Sequence, residues 1–147
     1  MKDYTKLNIY ITMPEIQNLK VSGSGSITGM NEFDLDETKL EVDGSGKIDV
    51  ELSDASKVIA DISGSGEIKL AGTSNIIDIE IGGSGDVAAF DLETNIAYVK
   101  INGSGDVEVF VNDELTGKIN GSGDLYYKGN PYIDVEINGS GKVKSSN

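Results

Sequence analysis

Cysteine, histidine and arginine are all missing from the 147 residues. Without cysteine there is no disulfide, no thiolate nucleophile and no Cys-ligated zinc. Without histidine the commonest general base and the commonest transition-metal ligand are gone. The 12 basic residues are all lysine, against 25 acidic residues, for a net charge of -13. A surface that acidic repels phosphate backbones and anionic lipid, so nucleic acid is not an expected partner. No apolar run approaches the ~18 residues of a membrane-spanning helix, and no membrane insertion is expected of this chain. Met1-Lys2-Asp3-Tyr4 has no signal-peptide core behind it. Proline is scarce, at 2 residues.

Glycine, by contrast, is abundant at 19 residues, and most of it falls into one tripeptide. Gly-Ser-Gly begins at Gly23, Gly44, Gly64, Gly83, Gly103, Gly121 and Gly139, at intervals of 21, 20, 19, 20, 18 and 18 residues. Collagen is excluded because glycine does not recur at every third position. A disordered Gly/Ser linker is excluded because apolar residues alternate with polar ones on both sides of each copy. Ile101-Asn102 precedes Gly103 and Asp106-Val107 follows Gly105, and the other copies read alike. Period two is the signature of a strand with one buried and one wet face. No comparable stretch keeps the helical period.

Each repeat therefore reads strand, Gly-Ser-Gly, strand, then a looser connection rich in Asp, Asn, Ser and Gly. A meander of hairpins and a β-solenoid share this beat. A meander pairs neighbouring repeats antiparallel, so like residues would not meet. Here like residues form columns. Two before the first glycine stand Val21, Val42, Ile62, Ile81, Ile101, Ile119 and Ile137; two after the second stand Ile27, Ile48, Ile68, Val87, Val107, Leu125 and Val143. Columns demand parallel stacking, and β-branched ladders fill a narrow core. The expected fold is all-β: one solenoid domain over residues 1–147, of about seven coils of 18–21 residues. The parallel-crossover rule favours a right-handed path. The paired glycines (Gly23/Gly25, Gly44/Gly46, Gly64/Gly66, Gly83/Gly85, Gly103/Gly105, Gly121/Gly123, Gly139/Gly141) are expected corners, where φ and space exclude a Cβ. The serine between them should face outward as a hydroxyl ladder. Phe90 and Phe110 share a column and are expected to stack in the core. Residues 1–18 are expected to form a partial first coil, broken at Pro14. Unpaired strand edges at the ends could join copies into an edge-to-edge homo-oligomer, with Lys142 and Lys144 as charged deterrents.

The Val-x-Gly-Ser-Gly-x-Ile unit at ~20-residue spacing, as in Ile101-Asn102-Gly103-Ser104-Gly105-Asp106-Val107, resembles the DUF2807 family, also called the putative auto-transporter adhesin head GIN domain. The resemblance covers about residues 5–147. It implies a β-helix with Gly-Ser-Gly turns between two sheets, an exported protein at the cell surface or envelope, and a role in adhesion. Relatives carry a leader and further N-terminal β-structure, so this chain is expected to lack their first coils.

Three outward columns are candidate sites. The residue after each corner reads Ser26, Lys47, Glu67, Asp86, Asp106, Asp124, Lys142. Stacking sets Glu67, Asp86, Asp106 and Asp124 in a row at ~4.8 Å spacing. Calcium ions between them are one reading. The other is a solvated column whose carboxylates bond corner N–H groups; it needs no ion, because exposed like charges cost little in water. Gly82-Gly83-Ser84-Gly85-Asp86 does not match the calcium-binding G-G-x-G-x-D repeat, since its Asp comes one residue early. Asn102, Asn120 and Asn138 form a second column, able to bond along the axis or to read a glycan. Tyr126 and Tyr132, with Tyr98 and Tyr127 near them, are either a surface patch for a sugar or protein, or rings closing a corner of the core. No carboxylate pair breaks the repeat as a glycosidase site would. The seven serines have no base beside them, so none is a nucleophile elbow. The expected function is a non-catalytic surface or extracellular module for adhesion to a surface protein or glycan, with no cofactor. A carbohydrate-binding or polysaccharide-processing β-helix is the alternative.

Overall fold

The structure is a computed structural model that describes residues 17–29, 33–34 and 36–147. The expected partial coil before Gln17 lies outside the described residues. Eleven strands follow one another: β1 (Asn18–Gly23), β2 (Ser26–Thr28), β3 (Phe33–Asp34), β4 (Glu37–Gly44), β5 (Lys47–Gly64), β6 (Glu67–Gly83), β7 (Asp86–Gly103), β8 (Val107–Gly121), β9 (Leu125–Lys128), β10 (Tyr132–Gly139) and β11 (Val143–Ser145). Every pairing is parallel and joins one repeat to the next. The fold is a parallel β-solenoid, as the columns require, and its seven corners bound six turns.

Both columns are register-true. Val21 pairs with Val42, Val42 with Ile62, and so on to Ile137. Ile27 pairs with Ile48 and the ladder runs unbroken to Val143. From Val42 to Ile119 the first column is fully buried. In the last turn Ile133 and Ile137 are exposed, because no later strand covers them among the described residues.

The corner is one structure repeated. The first glycine of each tripeptide has positive φ, from +96° at Gly23 to +141° at Gly103. The next serine N–H donates to the carbonyl of the first glycine one turn back. Ser104 N reaches Gly83 O at 2.9 Å, and the same 2.9 Å recurs from Ser45 to Ser140. All seven serines face outward, and this backbone bond is the rung that stacks them.

The second glycine of a corner is set by the space constraint rather than by φ. Gly25, Gly46, Gly66, Gly85, Gly105, Gly123 and Gly141 do not adopt positive φ. From Gly46 onward they are glycine for space alone. A Cβ on Gly66 would lie 2.5 Å from Gly46 O and also strike the Val42 side chain. At Gly141, in the last corner, it would collide with Gly123 O and lie 2.8 Å from Ile119 Cγ2. Gly25 lacks even that reason. It is exposed, and a Cβ there would meet only Val21 Cγ1, at 4.0 Å. The obstacle at a second glycine is the carbonyl of the turn before, and among the described residues no turn precedes the corner of Gly25. Gly25→Ala should therefore leave the melting temperature nearly unchanged, whereas Gly141→Ala should lower it.

Each turn has a second bend, between the leg that leaves one corner and the leg that enters the next. It is irregular where the corner is uniform. Positive φ occurs there at Asp54, Gly72 and Gly129, and in the described turns through β7 and β8 at no bend residue. Register slips there too, between Leu52 and Ala55, Lys69 and Ala71, Ala89 and Glu93, and Thr94 and Ile96. The variation in repeat length is absorbed at this bend. Two of the three buried polar side chains among the described residues, Ser74 and Thr94, point inward beside it. Ser74 Oγ donates to Thr94 Oγ1 at 3.0 Å, and Thr94 Oγ1 donates to Asn75 O at 3.2 Å, so neither hydroxyl is orphaned.

Phe90 and Phe110 correct the expectation that they stack in the core. Both lie half-buried on the outer surface. The register slip pairs Phe110 with Glu93, and Lys128 Nζ sits 4.5 Å from the centroid of the Phe90 ring. Strand parity explains it. Val87 and Ala89 point inward, so Phe90 must point out. The interior is already filled by Val, Ile, Leu and Ala.

Candidate functional site

The acidic column beside the corners is structural wiring. Asp86 Oδ1 accepts from the Asp106 N–H at 2.9 Å, Asp106 Oδ1 from the Asp124 N–H at 2.8 Å, and Asp124 Oδ1 from the Lys142 N–H at 2.9 Å. Each carboxylate thus holds the backbone of the next turn. Glu67, the longer side chain of the row, faces Lys47 at 3.7 Å instead. Asp124 Oδ2 takes Lys144 Nζ at 2.7 Å. Its pKa is held below the usual carboxylate range, first by that lysine, against some desolvation, and with help from the Lys142 N–H. Among the described residues no three acidic side chains converge as a metal cage. These bonds match the solvated-column reading, in which the carboxylates bond corner N–H groups.

The asparagine column also bonds along the axis. Asn120 Nδ2 donates to Asn102 Oδ1 at 2.8 Å, and Asn138 Nδ2 to Asn120 Oδ1 at 3.2 Å. The tyrosines do not gather into one patch with it. Tyr126 lies on the leg after the corner, half-buried, its hydroxyl donating to Asp124 Oδ2 at 3.2 Å and its ring 5.1 Å from Lys144 Nζ. Tyr132 lies across the Gly129 bend, on the other leg, and is 73% exposed. It is six residues from Asn138 on one strand, about 20 Å away. Tyr127 packs against the core, as its inward parity requires.

One outward row does run against its own charge. Glu41, Asp61 and Glu80 are successive register partners. The Asp61 pKa is raised, chiefly by desolvation and then by Glu80, with Lys39 opposing. A carboxyl whose folded pKa lies above its unfolded value loses stability as pH rises through that window. Asp61→Asn should therefore raise the melting temperature at pH 7 and change nothing well below the unfolded aspartate pKa. Water screens the site, so the gain stays within about 1 kcal/mol. Melting curves at both pH values check it.

A concave feature of the described surface lies elsewhere, on the outside of the second bend. An open groove of about 400 Å³ runs along the axis there, floored by Ala55 and Ser74. Its walls are Asp54, Thr73, Asn75, Glu93, Asn95 and Asn112, taken from four consecutive turns. Thr73 Oγ1 donates to Asp54 Oδ1 at 3.1 Å and accepts the Asp54 N–H at 3.0 Å. Asn95 Nδ2 donates to Asn75 Oδ1 at 3.0 Å, and Asn112 Nδ2 to Glu93 Oε1 at 2.9 Å. Asp54 is the one non-glycine residue with positive φ among those described, at 49°. Aspartate tolerates that conformation because its short side chain bonds locally. These residues read in the sequence only as turn formers. Their signal is faint: Asn75, Asn95 and Asn112 recur near repeat spacing, but in the segment where register slips.

Uniform glycine corners, bonded outer columns and a filled interior define a repeat protein of the parallel β-solenoid class. Comparison with known proteins agrees. Residues 1–131 match the model of the family described as "Putative auto-transporter adhesin, head GIN domain", and the chain belongs to that family, DUF2807. The solenoid continues past that match, since β10 pairs with β8 over its whole length. A solved putative adhesin of Bacteroides fragilis NCTC 9343 is 25% identical, with a TM-score of 0.76 over 88% of this chain and 60% of its own. A putative adhesin of Parabacteroides distasonis ATCC 8503 is 28% identical, with a TM-score of 0.73 over 88% of this chain and 63% of its own. A further protein of that strain, described as a putative lipid binding protein, is 29% identical, with a TM-score of 0.69 over 89% and 62%. The chain thus spans about three-fifths of the length of these solved structures. No curated protein matches.

Proposed function

We propose that this chain is a non-catalytic module of a cell-surface or extracellular adhesin, presenting its outward ladders to a surface protein or glycan. One observation carries the reading: the Asp86–Asp106–Asp124 carboxylates, the most regular acidic groups of the chain, hold backbone of the next turn. Residues so employed build a rigid rod and are not poised as an acid and base pair. The family name supports adhesion and an envelope location. The polar groove favours the carbohydrate-binding half of the alternative. A lipid tail would need an apolar cavity, and the groove walls are amides, hydroxyls and carboxylates.

Beads coated with the purified chain test the reading. They should attach saturably to at least one of three surfaces, namely host-cell monolayers, matrix protein films or bacterial cells, and free chain should compete. Attachment no greater than that of albumin-coated beads on all three sinks the adhesion function.

A further inference from the structure

We propose that the groove at the second bend is a binding site for a neutral linear saccharide lying along the solenoid axis. The inference deepens the adhesion reading by naming a ligand class and a place.

Three features of the groove point to sugar. Its walls pair an amide or hydroxyl with a carboxylate: Asn112 with Glu93, Thr73 with Asp54. Vicinal sugar hydroxyls need that mixture, because each both donates and accepts. Each pair also leaves capacity toward the solvent. Among the described residues Asn75 Nδ2, Asn95 Oδ1, Asn112 Oδ1, Glu93 Oε2 and Asp54 Oδ2 have no protein partner. Finally, the rungs repeat. From Asp54 to Asn112 the groove crosses three inter-turn steps of ~4.8 Å, about 14 Å in all. An extended pyranose chain repeats on a similar scale, so successive rings would meet successive rungs.

The charge of the groove selects among saccharides. No lysine lines it, and it holds two carboxylates on a chain of net charge -13. Uronic acid or sulfate groups would be repelled. Half-exposed Ile76 and Ile96, register partners, directly follow the wall residues Asn75 and Asn95 in sequence. They offer an apolar strip to the C–H face of a ring. The bend is where the solenoid departs from its repeat, while the corners do not vary. A site confined to turns two to five fits that departure.

Affinity electrophoresis and a glycan array with the whole chain test the proposal. The probes are neutral hexasaccharides of glucose, mannose and galactose, with polygalacturonate and hyaluronan as anionic probes. At least one neutral series should bind saturably, unaffected by EDTA. Each lost wall hydrogen bond should weaken binding by up to about tenfold, so Asn75→Ala/Asn95→Ala should weaken it most and Glu93→Gln less. All these side chains are exposed, so melting temperatures should hold. Asn120→Ala, in the column beside the corner, should leave binding intact. No binding to any neutral probe, binding to anionic probes alone, or binding lost in Tyr132→Ala and kept in the groove variants overturns the proposal. Should coated beads still adhere to cells while no neutral saccharide binds, the saccharide site falls and the adhesion function stands.

Discussion

Gly103→Val is expected to lose about 2–6 kcal/mol of stability, and Ser104→Ala next to it almost none. Two separate penalties add at Gly103. Its φ is +141°, which a β-branched residue adopts only under strain. Such strain costs about 1–3 kcal/mol. A Cβ there would also collide with Gly83 O, the acceptor of the Ser104 N–H rung. Backbone that must shift to admit it costs a further ~1–3 kcal/mol. Ser104 contributes only a backbone rung, and its side chain is exposed. Gly105→Ala separates the two penalties. Gly105 needs no positive φ, but its Cβ would meet Gly85 O and Ile81 Cγ2. It should therefore fall between the other two. Urea unfolding of the three variants decides, and equal midpoints for Gly103→Val and Ser104→Ala would refute the corner geometry.

That corner was legible because it combines two signals of different origin. The glycine beat marks where φ or space forbids a side chain. The columns Val21–Ile137 and Ile27–Val143 mark what stacks on what. Both are counted from the same origin, so they reinforce each other. The beat does not divide the labour between its glycines, since a residue kept small for φ and one kept small for space read alike. Gly25 keeps the motif at a corner with nothing described beneath it, while Gly141 keeps it against the carbonyl of Gly123. Counting from the corner also located the Asp86–Asp106–Asp124 row, and the geometry of stacked turns foretold its bonds to backbone N–H groups.

Legibility faded with distance from the corner. Five residues beyond Gly85 and Gly105, Phe90 and Phe110 look like one core column. Parity alone places them outside, and the slip between Ala89 and Glu93 unpairs them. Residue type and parity disagree there, and parity wins. The groove was illegible for a related reason. Its walls are joined across turns only after four register slips, which sequence spacing does not reveal. Tyr126 and Tyr132 looked adjacent because six residues separate them, but the bend at Gly129 sets them on different legs.

Ile101→Ala, a truncation in the middle of the first column, should cost about 2–5 kcal/mol. Ile101 is fully buried between Ile81 and Ile119, and its Cγ2 occupies the space over the Gly123 corner. The surroundings cannot collapse into the gap, because parallel rungs fix the backbone on both sides. Ile137→Ala removes the same atoms from the same column, but Ile137 is 40% exposed. It should cost ~1 kcal/mol or less, since much of its apolar area is wet already. In a stacked repeat the loss is also local. Stability is a sum of turns and their nearest interfaces. Hydrogen exchange of Ile101→Ala should therefore show amides of β7 and β8 losing protection before those of β5. Equal destabilisation by the two truncations, or a uniform loss of protection along the rod, would mean that the columns do not carry the stability graded here. Graded loss would also place the groove, between Asp54 and Asn112, over the best-buried part of the rod, where its walls are held most firmly for a ligand.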